Sequence, residues 1–467
     1  MRVGLLSFSD GRERVHRDLI PEIKKAQDVI IDFLKRQRGI EVVAGSSIVY
    51  TPDLARREAR RLVAQNIDAL VFNIPVFAFP NFALIAARIC NISPLIYSLP
   101  NPRLPGLGGM LAAGGGLREA GINCEKLWGD LGDPLIQKKF MAYLRAQTAA
   151  RKLQGQVYGL IGGRSIGMVT GTIDPSQWME IFGVDVEHVD QLEIIRLAEK
   201  IPEVEVNEGF KWLNSHVGKI EYAGALSEES LKYQLRCYLA IQEIVKQHQL
   251  DFLGVKCHYE LSEYYVTQCL SCAICSDPYD WRGPKPPQVF ACEADSDGAL
   301  TMQILKLLSG KPTAFLDLRH YDEANGLYVL CNCGALATWF AAQAEDPNEN
   351  LKRVTLCPII PKYAGKGAHV RFLCSSGEVT FARLMRSSGR YQMVIFKGEF
   401  VEVPLARLQE TCPQWPHAYA KINIGPQELF DIYDSNHCHA VYGDYLEEIV
   451  KFCKILNIDV QLIERRR

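Results

Sequence analysis

The chain has 467 residues, a length for two to four domains, and its 48% hydrophobic and 23% charged residues are the proportions of a soluble globular protein. A formal charge of −2 leaves no basic footprint for nucleic acid, and the longest apolar region, 67–99, is too broken by Asn73, Pro75, Pro80, Asn81 and Pro94 to span a membrane. The opening apolar run is too short for an export signal, so a cytoplasmic protein is expected. Its fifteen cysteines then read as reduced, mostly buried thiols rather than disulfides.

Strands and helices alternate through the first third. Residues 3–8 are an apolar strand, Asp10-Gly11-Arg12 a turn, and the spacing of Ile23, Ala26, Val29, Ile30 and Phe33 predicts a helix over 21–37. A strand over 40–50 precedes a basic amphipathic helix over 52–65, and 67–73 and 94–98 are further buried strands. The glycine-rich GLGGMLAAGGG at 106–116 lacks the full G-x-G-x-x-G spacing and does not directly follow a strand. It reads as a flexible loop or a tight packing joint, and a helix over 134–152 closes the domain.

A second alternating unit begins at Val157. Residues 157–161 and 184–189 are strands, 226–248 a long helix capped by Ser227, and 251–256 a strand running into Cys257-His258-Tyr259-Glu260. Cys269, Cys272 and Cys275 form C-x-x-C-x-x-C, which as a metal cluster would need Cys257 or Cys292 as a fourth ligand. The third cysteine is followed by Ser-Asp and not by the x-x-x-Cys-Pro of a ferredoxin, and 264–274 reads as an apolar helix with its thiols roughly along one face.

The most informative stretch is 289–322, VFACEADSDGALTMQILKLLSGKPTAFLDLRHYD. An apolar strand ends on Glu293. Asp295 or Ser296 caps a helix that Ser309-Gly310 stops, and a second apolar strand ends on Asp317. A crossover helix implies parallel strands in one sheet, with Glu293 and Asp317 meeting at the carboxyl edge where such sheets keep their ligands. Two carboxylates at one mouth repel unless a cation lies between them, and oxygen donors suit Mn²⁺ or Mg²⁺. The pattern leaves equally open that one acid caps the helix and the other pairs with Arg319. Lys256, His258 and Glu260 follow a strand end of the same unit, so His258 would face substrate; a plain Lys256–Glu260 ion pair is the alternative.

Beyond residue 345 short strands dominate, at 354–357, 369–373, 378–384, 391–397 and 400–403, with hairpin turns at Ser375-Ser376-Gly377 and Ser387-Ser388-Gly389. The fold expected is α/β: two doubly wound, Rossmann-like parallel-sheet domains (1–153 and 154–345), then a C-terminal antiparallel β-barrel domain (346–467) with a terminal helix.

Several segments together resemble the L-fucose isomerase and L-arabinose isomerase family, most closely its L-fucose branch. They are DGRERVHR near the start, GLIGGRSIGMVTGTIDPSQWMEIFGVDVEHVD, the stretch DWRGPKPPQVFACEADSDGALTMQILKLLSGKPTAFLDLR, GEVTFARL, and NHCHAVYGD near the end. The resemblance implies an aldose–ketose isomerase working through a cis-enediol. Glu293 and Asp317 would be its acid–base pair, and Glu293, Asp317 and His437 the ligands of one Mn²⁺, or of another divalent ion such as Mg²⁺ or Co²⁺. Asn436 and Trp415 would touch the sugar, and Arg12 would reach the site of a neighbouring subunit in a homohexamer. His417 would touch sugar or support Trp415, and His439 would back the ligands or serve only in packing. The chain is shorter than typical L-fucose isomerases, which leaves the sugar open among L-fucose, D-arabinose, L-arabinose and other, including sulfonated, hexoses. Rival readings are a non-catalytic sugar-binding protein on the same scaffold, an epimerase or aldolase with the same chemistry, and an iron–sulfur oxidoreductase.

Overall fold

The structure, a computed structural model, describes residues 1–463 and divides into two compact units, 1–154 with 447–458 and 155–446 with 459–463. The first unit holds a five-stranded parallel sheet in the order Glu41–Ala44, Arg2–Ser7, Ala69–Asn73, Leu95–Ser98, Glu125–Trp128. Its central strand, Ala69–Asn73, is buried at every residue, as a parallel strand covered on both faces requires. The first helix, Glu13–Lys35, begins eight residues before the expected 21, with Pro21 inside it.

The glycine-rich segment is a helix, Gly106–Glu119, and not a loop. The packing-joint alternative holds in this helical form. A Cβ on Gly106 would come within 2.4 Å of Ser98 Oγ, and one on Gly109 within 2.3 Å of the Val76 carbonyl, so only glycine lets this helix approach so closely. The helix Leu446–Leu456 returns to this unit, where Glu448 accepts from Arg145 at 3.1 Å and Glu125 pairs with Lys451 and with Lys454.

The second unit contains a four-stranded parallel sheet, in the order Phe290–Cys292, Phe252–Val255, Val157–Ile161, Asp185–Val189. Ser227 caps the helix Glu228–Gln247 in a capping box closed by Ser230. Its larger sheet is mostly antiparallel: Gly377–Ser387, His437–Tyr442, Ala314–Asp322, Leu327–Cys331, His417–Lys421, Arg390–Phe400, Asp459–Leu462, with Gly377–Ser387 also paired to Arg390–Phe400. Ser388 and Gly389, with φ of 50° and 80°, make the expected two-residue hairpin turn. The hairpin expected at Ser375-Ser376-Gly377 does not form, because Ala368–Arg371 pairs instead with Thr355–Pro358 in a separate small sheet.

The largest correction concerns the two strands joined by the helix Ser296–Ser309. They are not parallel partners. Phe290–Cys292 is the edge of the parallel sheet, while Ala314–Asp322 lies in the antiparallel one between Leu327–Cys331 and His437–Tyr442. The crossover rule applies to strands of one sheet, and here a distant strand from the end of the chain outcompetes the near one. The segment expected as one apolar helix over 264–274 is also broken: helix Glu260–Tyr264 ends, and Cys269–Ser276 starts anew.

Candidate active site

The parallel strand ends at Cys292, and the next two residues, Glu293 and Ala294, take φ of 58° and 52°. Two successive non-glycine residues in the left-handed region are costly, and such backbone concentrates at functional positions. The turn delivers Asp295 as the cap of helix Ser296–Ser309, its carboxylate accepting from Gly298 N at 3.1 Å. The same carboxylate accepts from Arg383 Nη1 at 2.6 Å and Nη2 at 3.2 Å, and faces His437 Nδ1 at 2.7 Å. All three side chains are at most 1% exposed. A Cβ on Gly298 would lie 2.8 Å from His439 Nε2 and 2.9 Å from Arg383 Nη1, so glycine at the third helical position makes room for the buried arginine. His439 completes the set, its Nε2 3.0 Å from Arg383 Nη1.

Hydrogen bonding of Nδ1–H to Asp295 leaves Nε2 of His437 directed at Glu293 and Asp317, buried and beyond the geometry of a full hydrogen bond among the described residues, where it holds a proton that a metal ion would displace. Glu293 Oε2 lies 3.4 Å from Nε2 and Asp317 Oδ1 3.5 Å. The antiparallel sheet supplies this meeting. His437, Asp317, Cys331 and His417 pair in one row across four adjacent strands, and directly paired residues present their side chains on one face. Asn436 Nδ2 donates to Asp317 Oδ1 at 3.2 Å. Arg319 does not take up Asp317 in an ion pair of the described residues; it donates to Cys412 Sγ at 3.5 Å.

The charges follow from these contacts. Burial pushes the His437 imidazole down, but Asp295 and Glu293 outweigh it and raise it to about 10. Burial would raise Asp295, yet Arg383 and His437 hold it well below the usual carboxylate range. Glu293 is raised by burial and lowered more by His437, whereas burial leaves Asp317 raised. Two carboxylate oxygens and one imidazole nitrogen, the last oriented by a third carboxylate, form a donor set suited to a divalent cation.

The other expected residues fall in different places. His258 Nε2 lies 3.7 Å from Glu293 Oε1, with Nδ1 on Ser262 Oγ at 3.1 Å and its ring stacked on Tyr363. Lys256 and Glu260 pair with each other at 2.9 Å, the structural alternative. His417 engages the Trp415 carbonyl at 2.9 Å and Thr411 Oγ1 at 2.7 Å, so it braces the Trp415 loop. Trp415 is 6% exposed, with the exposed side chains of Arg319 and Lys362 6.0 and 5.5 Å from its ring centroid. Arg12 belongs to the first unit, where it is paired with Asp10 and 70% exposed. Cys269, Cys272 and Cys275 are free, buried thiols on one helix.

The Asp295–Arg383 pair, which fixes His437, was not singled out from the sequence. Its signal was there: an arginine inside the apolar run VTFARL must be buried beside an acid.

The chain matches two family models, described as the first N-terminal domain of L-fucose isomerase over residues 1–155 and its C-terminal domain over 330–464. A sulfoquinovose isomerase of Alkalicoccus urumqiensis is 24% identical over 85% of this chain and 86% of its own. One from Priestia aryabhattai is 20% identical over 95% and 98%. An L-fucose isomerase of Haemophilus influenzae (strain PittEE) is 22% identical over 70% and 67%. Among solved structures, a periplasmic solute-binding protein of Actinobacillus succinogenes with bound D-allose aligns at 12% identity and a TM-score of 0.17, too low to indicate a shared fold.

Proposed function

Since the chain belongs to the L-fucose isomerase family of sugar isomerases, we propose that it is a metal-dependent aldose–ketose isomerase whose divalent cation, Mn²⁺ in the first instance, is held by Glu293, Asp317 and His437. The observation that carries this reading is the convergence of two carboxylates on Nε2 of a buried histidine whose Nδ1 is held by a third. A divalent cation there supplies Lewis-acid stabilisation of the negative charge that develops on two adjacent sugar oxygens. The residues of the chain move the proton. One carboxylate of the Glu293–Asp317 pair takes it from the carbon beside the carbonyl, and the pair returns it to the former carbonyl carbon. The hydroxyl proton passes from the second oxygen to the former carbonyl oxygen, so that the cis-enediol stage and the ketose both balance. Asn436 steadies Asp317 and, with Trp415, His258 and a neighbouring copy's Arg12, positions the sugar.

Two exposed cations beside Trp415, Arg319 and Lys362, favour an anionic sugar, so a sulfonated hexose stands ahead of L-fucose, D-arabinose and L-arabinose. Copies of the chain would assemble as a homohexamer in the cytoplasm; the exposed guanidinium of Arg12 supports a role across subunits. Among the described residues no helix is long and apolar enough to cross a membrane. The match to the first N-terminal domain over 1–155 supports a domain boundary near 153. The further division into 154–345 and 346–467, with the antiparallel sheet, paired on both sides of Gly377–Ser387, read as a barrel, is part of the same reading, although Ala314–Asp322 and Leu327–Cys331 already belong to that sheet.

The test is ketose formation from a panel of aldoses, sulfonated ones included, with Mn²⁺ and with chelator. Turnover of at least one aldose that chelator abolishes and Mn²⁺ restores is expected. Tight sugar binding without any ketose would overturn the reading in favour of a binding protein.

A further inference from the structure

Glu293 has two oxygens, and they face different company. Oε2 is directed at His437, while Oε1 is 3.7 Å from His258 Nε2. Behind His258 the surroundings change from oxygen to sulfur. Cys257, Cys269, Cys272, Cys292 and Cys333 line one small cavity with His258. Cys292 and Cys333 are the closest pair, Sγ to Sγ 3.2 Å, and the ligand atoms of His258, Glu293 and Cys333 all lie within 4.8 Å of one another. His258 Nδ1 is committed to Ser262, which aims Nε2 at this group.

Two thiols, an imidazole and a carboxylate oxygen are the donors of a four-coordinate zinc site. A tetrahedral ion about 2.3 Å from each sulfur sets two thiolates about 3.8 Å apart, so the pair opens by about half an ångström, and Cys292, which lies outside the 4.8 Å group, turns its sulfur toward His258 and Glu293. The oxygen-rich set at Asp317 has no sulfur and prefers harder ions. One carboxylate therefore stands between two donor sets of opposite softness.

We propose that Cys292, Cys333, His258 and Glu293 form a second metal site, for a thiophilic divalent cation such as Zn²⁺. Its occupation draws Glu293 away from His437 and Asp317 and so switches off the isomerase. Binding displaces the two thiol protons to solvent and involves no change of oxidation state. The binding claim stands on the donor set alone; only the switching claim rests on the isomerase reading.

The experiment uses the full-length, reduced protein and Cd²⁺ as the spectroscopic probe. One equivalent of Cd²⁺ should produce the ultraviolet thiolate-to-cadmium charge-transfer band, with the amplitude of two thiolates. C333S and C292S should each weaken that binding by at least about a hundredfold, the upper end of what losing even a residue that only orients a ligand costs. C269S/C272S, which alters the same cavity but not the set, should leave it unchanged. Zn²⁺ should raise the melting temperature of the wild type but not of C333S, a readout that needs no enzyme activity. If the reading as an isomerase holds, C333S keeps its Mn²⁺-supported turnover and loses inhibition by Zn²⁺. A charge-transfer band that survives in both C292S and C333S, or Cd²⁺ binding without any band, would overturn the site. A band that behaves as expected, with Zn²⁺ failing to inhibit an active enzyme, would overturn the switch alone.

Discussion

The five-stranded sheet of the first unit and the seven-stranded sheet of the second are assembled by different rules. In the first, strands follow one another through single helices, and its order places each strand beside another of the same short stretch of chain. In the second, Ala314–Asp322 sits between its own hairpin partner and His437–Tyr442 from near the end of the chain. Local strand pairing makes the sheet of the first unit a scaffold, joined from far along the chain, among the described residues, only by the returning segment 447–458. Distant pairing makes the second a device for bringing reactive groups together, since Asp317 and His437 become lateral neighbours only when the whole sheet has formed. Perturbations in the two units should therefore differ in kind.

The greatest effect is expected at the carboxylates on the meeting point. E293Q and D317N keep side-chain size and remove a base, and turnover should fall by about two to four powers of ten, with the circular dichroism spectrum unchanged. Next comes R383M. It leaves Asp295 as a buried charge without its arginine, and denaturant unfolding should register a loss of about 3–5 kcal/mol. A variant as stable as wild type would show that Asp295 does not need the pair. D295N is milder for the fold and removes the acceptor that orients His437, so Mn²⁺ affinity measured by calorimetry should drop about 10–100-fold.

A pH profile sharpens the comparison further. The His437 imidazole is raised from its ordinary 6.5 to about 10, burial working against the change and Asp295 and Glu293 producing it. With chelator present, that contribution to stability is complete below pH 6.5 and is lost as pH rises through about 10. The melting temperature should fall over that window, the slope should flatten in H437Q, and Mn²⁺, competing with the same proton, should bind more tightly as pH rises. The smallest effect belongs to the first unit. T51A removes the side-chain acceptor of Leu54 N at the start of helix Pro52–Ala64, and should cost about 1 kcal/mol without altering Mn²⁺ affinity.

What was legible in the sequence follows the same division. Helix Ser296–Ser309 announced both its ends, Asp295 as cap and Gly310 in the left-handed conformation as stop, because capping is local chemistry. The Ser388-Gly389 turn was visible for the same reason. The convergence of Glu293, Asp317 and His437 was expected, but by another route. The crossover argument placed both acids at the edge of one sheet, whereas two sheets supply them and a third strand brings the imidazole. Periodicity carries no information about which distant strand a given strand will choose. The glycine-rich helix was misjudged because glycine's low helix propensity was overridden by the need for close packing against Ser98 and Val76. Asp295 was recognised as a cap and missed as the partner of His437, since one carboxylate performs both tasks.

The most direct check is equilibrium Mn²⁺ binding, followed by the paramagnetic resonance signal of the free ion, in wild type, H437Q and D317N. One ion per chain in the wild type, with affinity reduced by two powers of ten or so in each variant, is the outcome that fits a cation shared by Glu293, Asp317 and His437. Unchanged Mn²⁺ affinity in H437Q, with the fold intact, would contradict it.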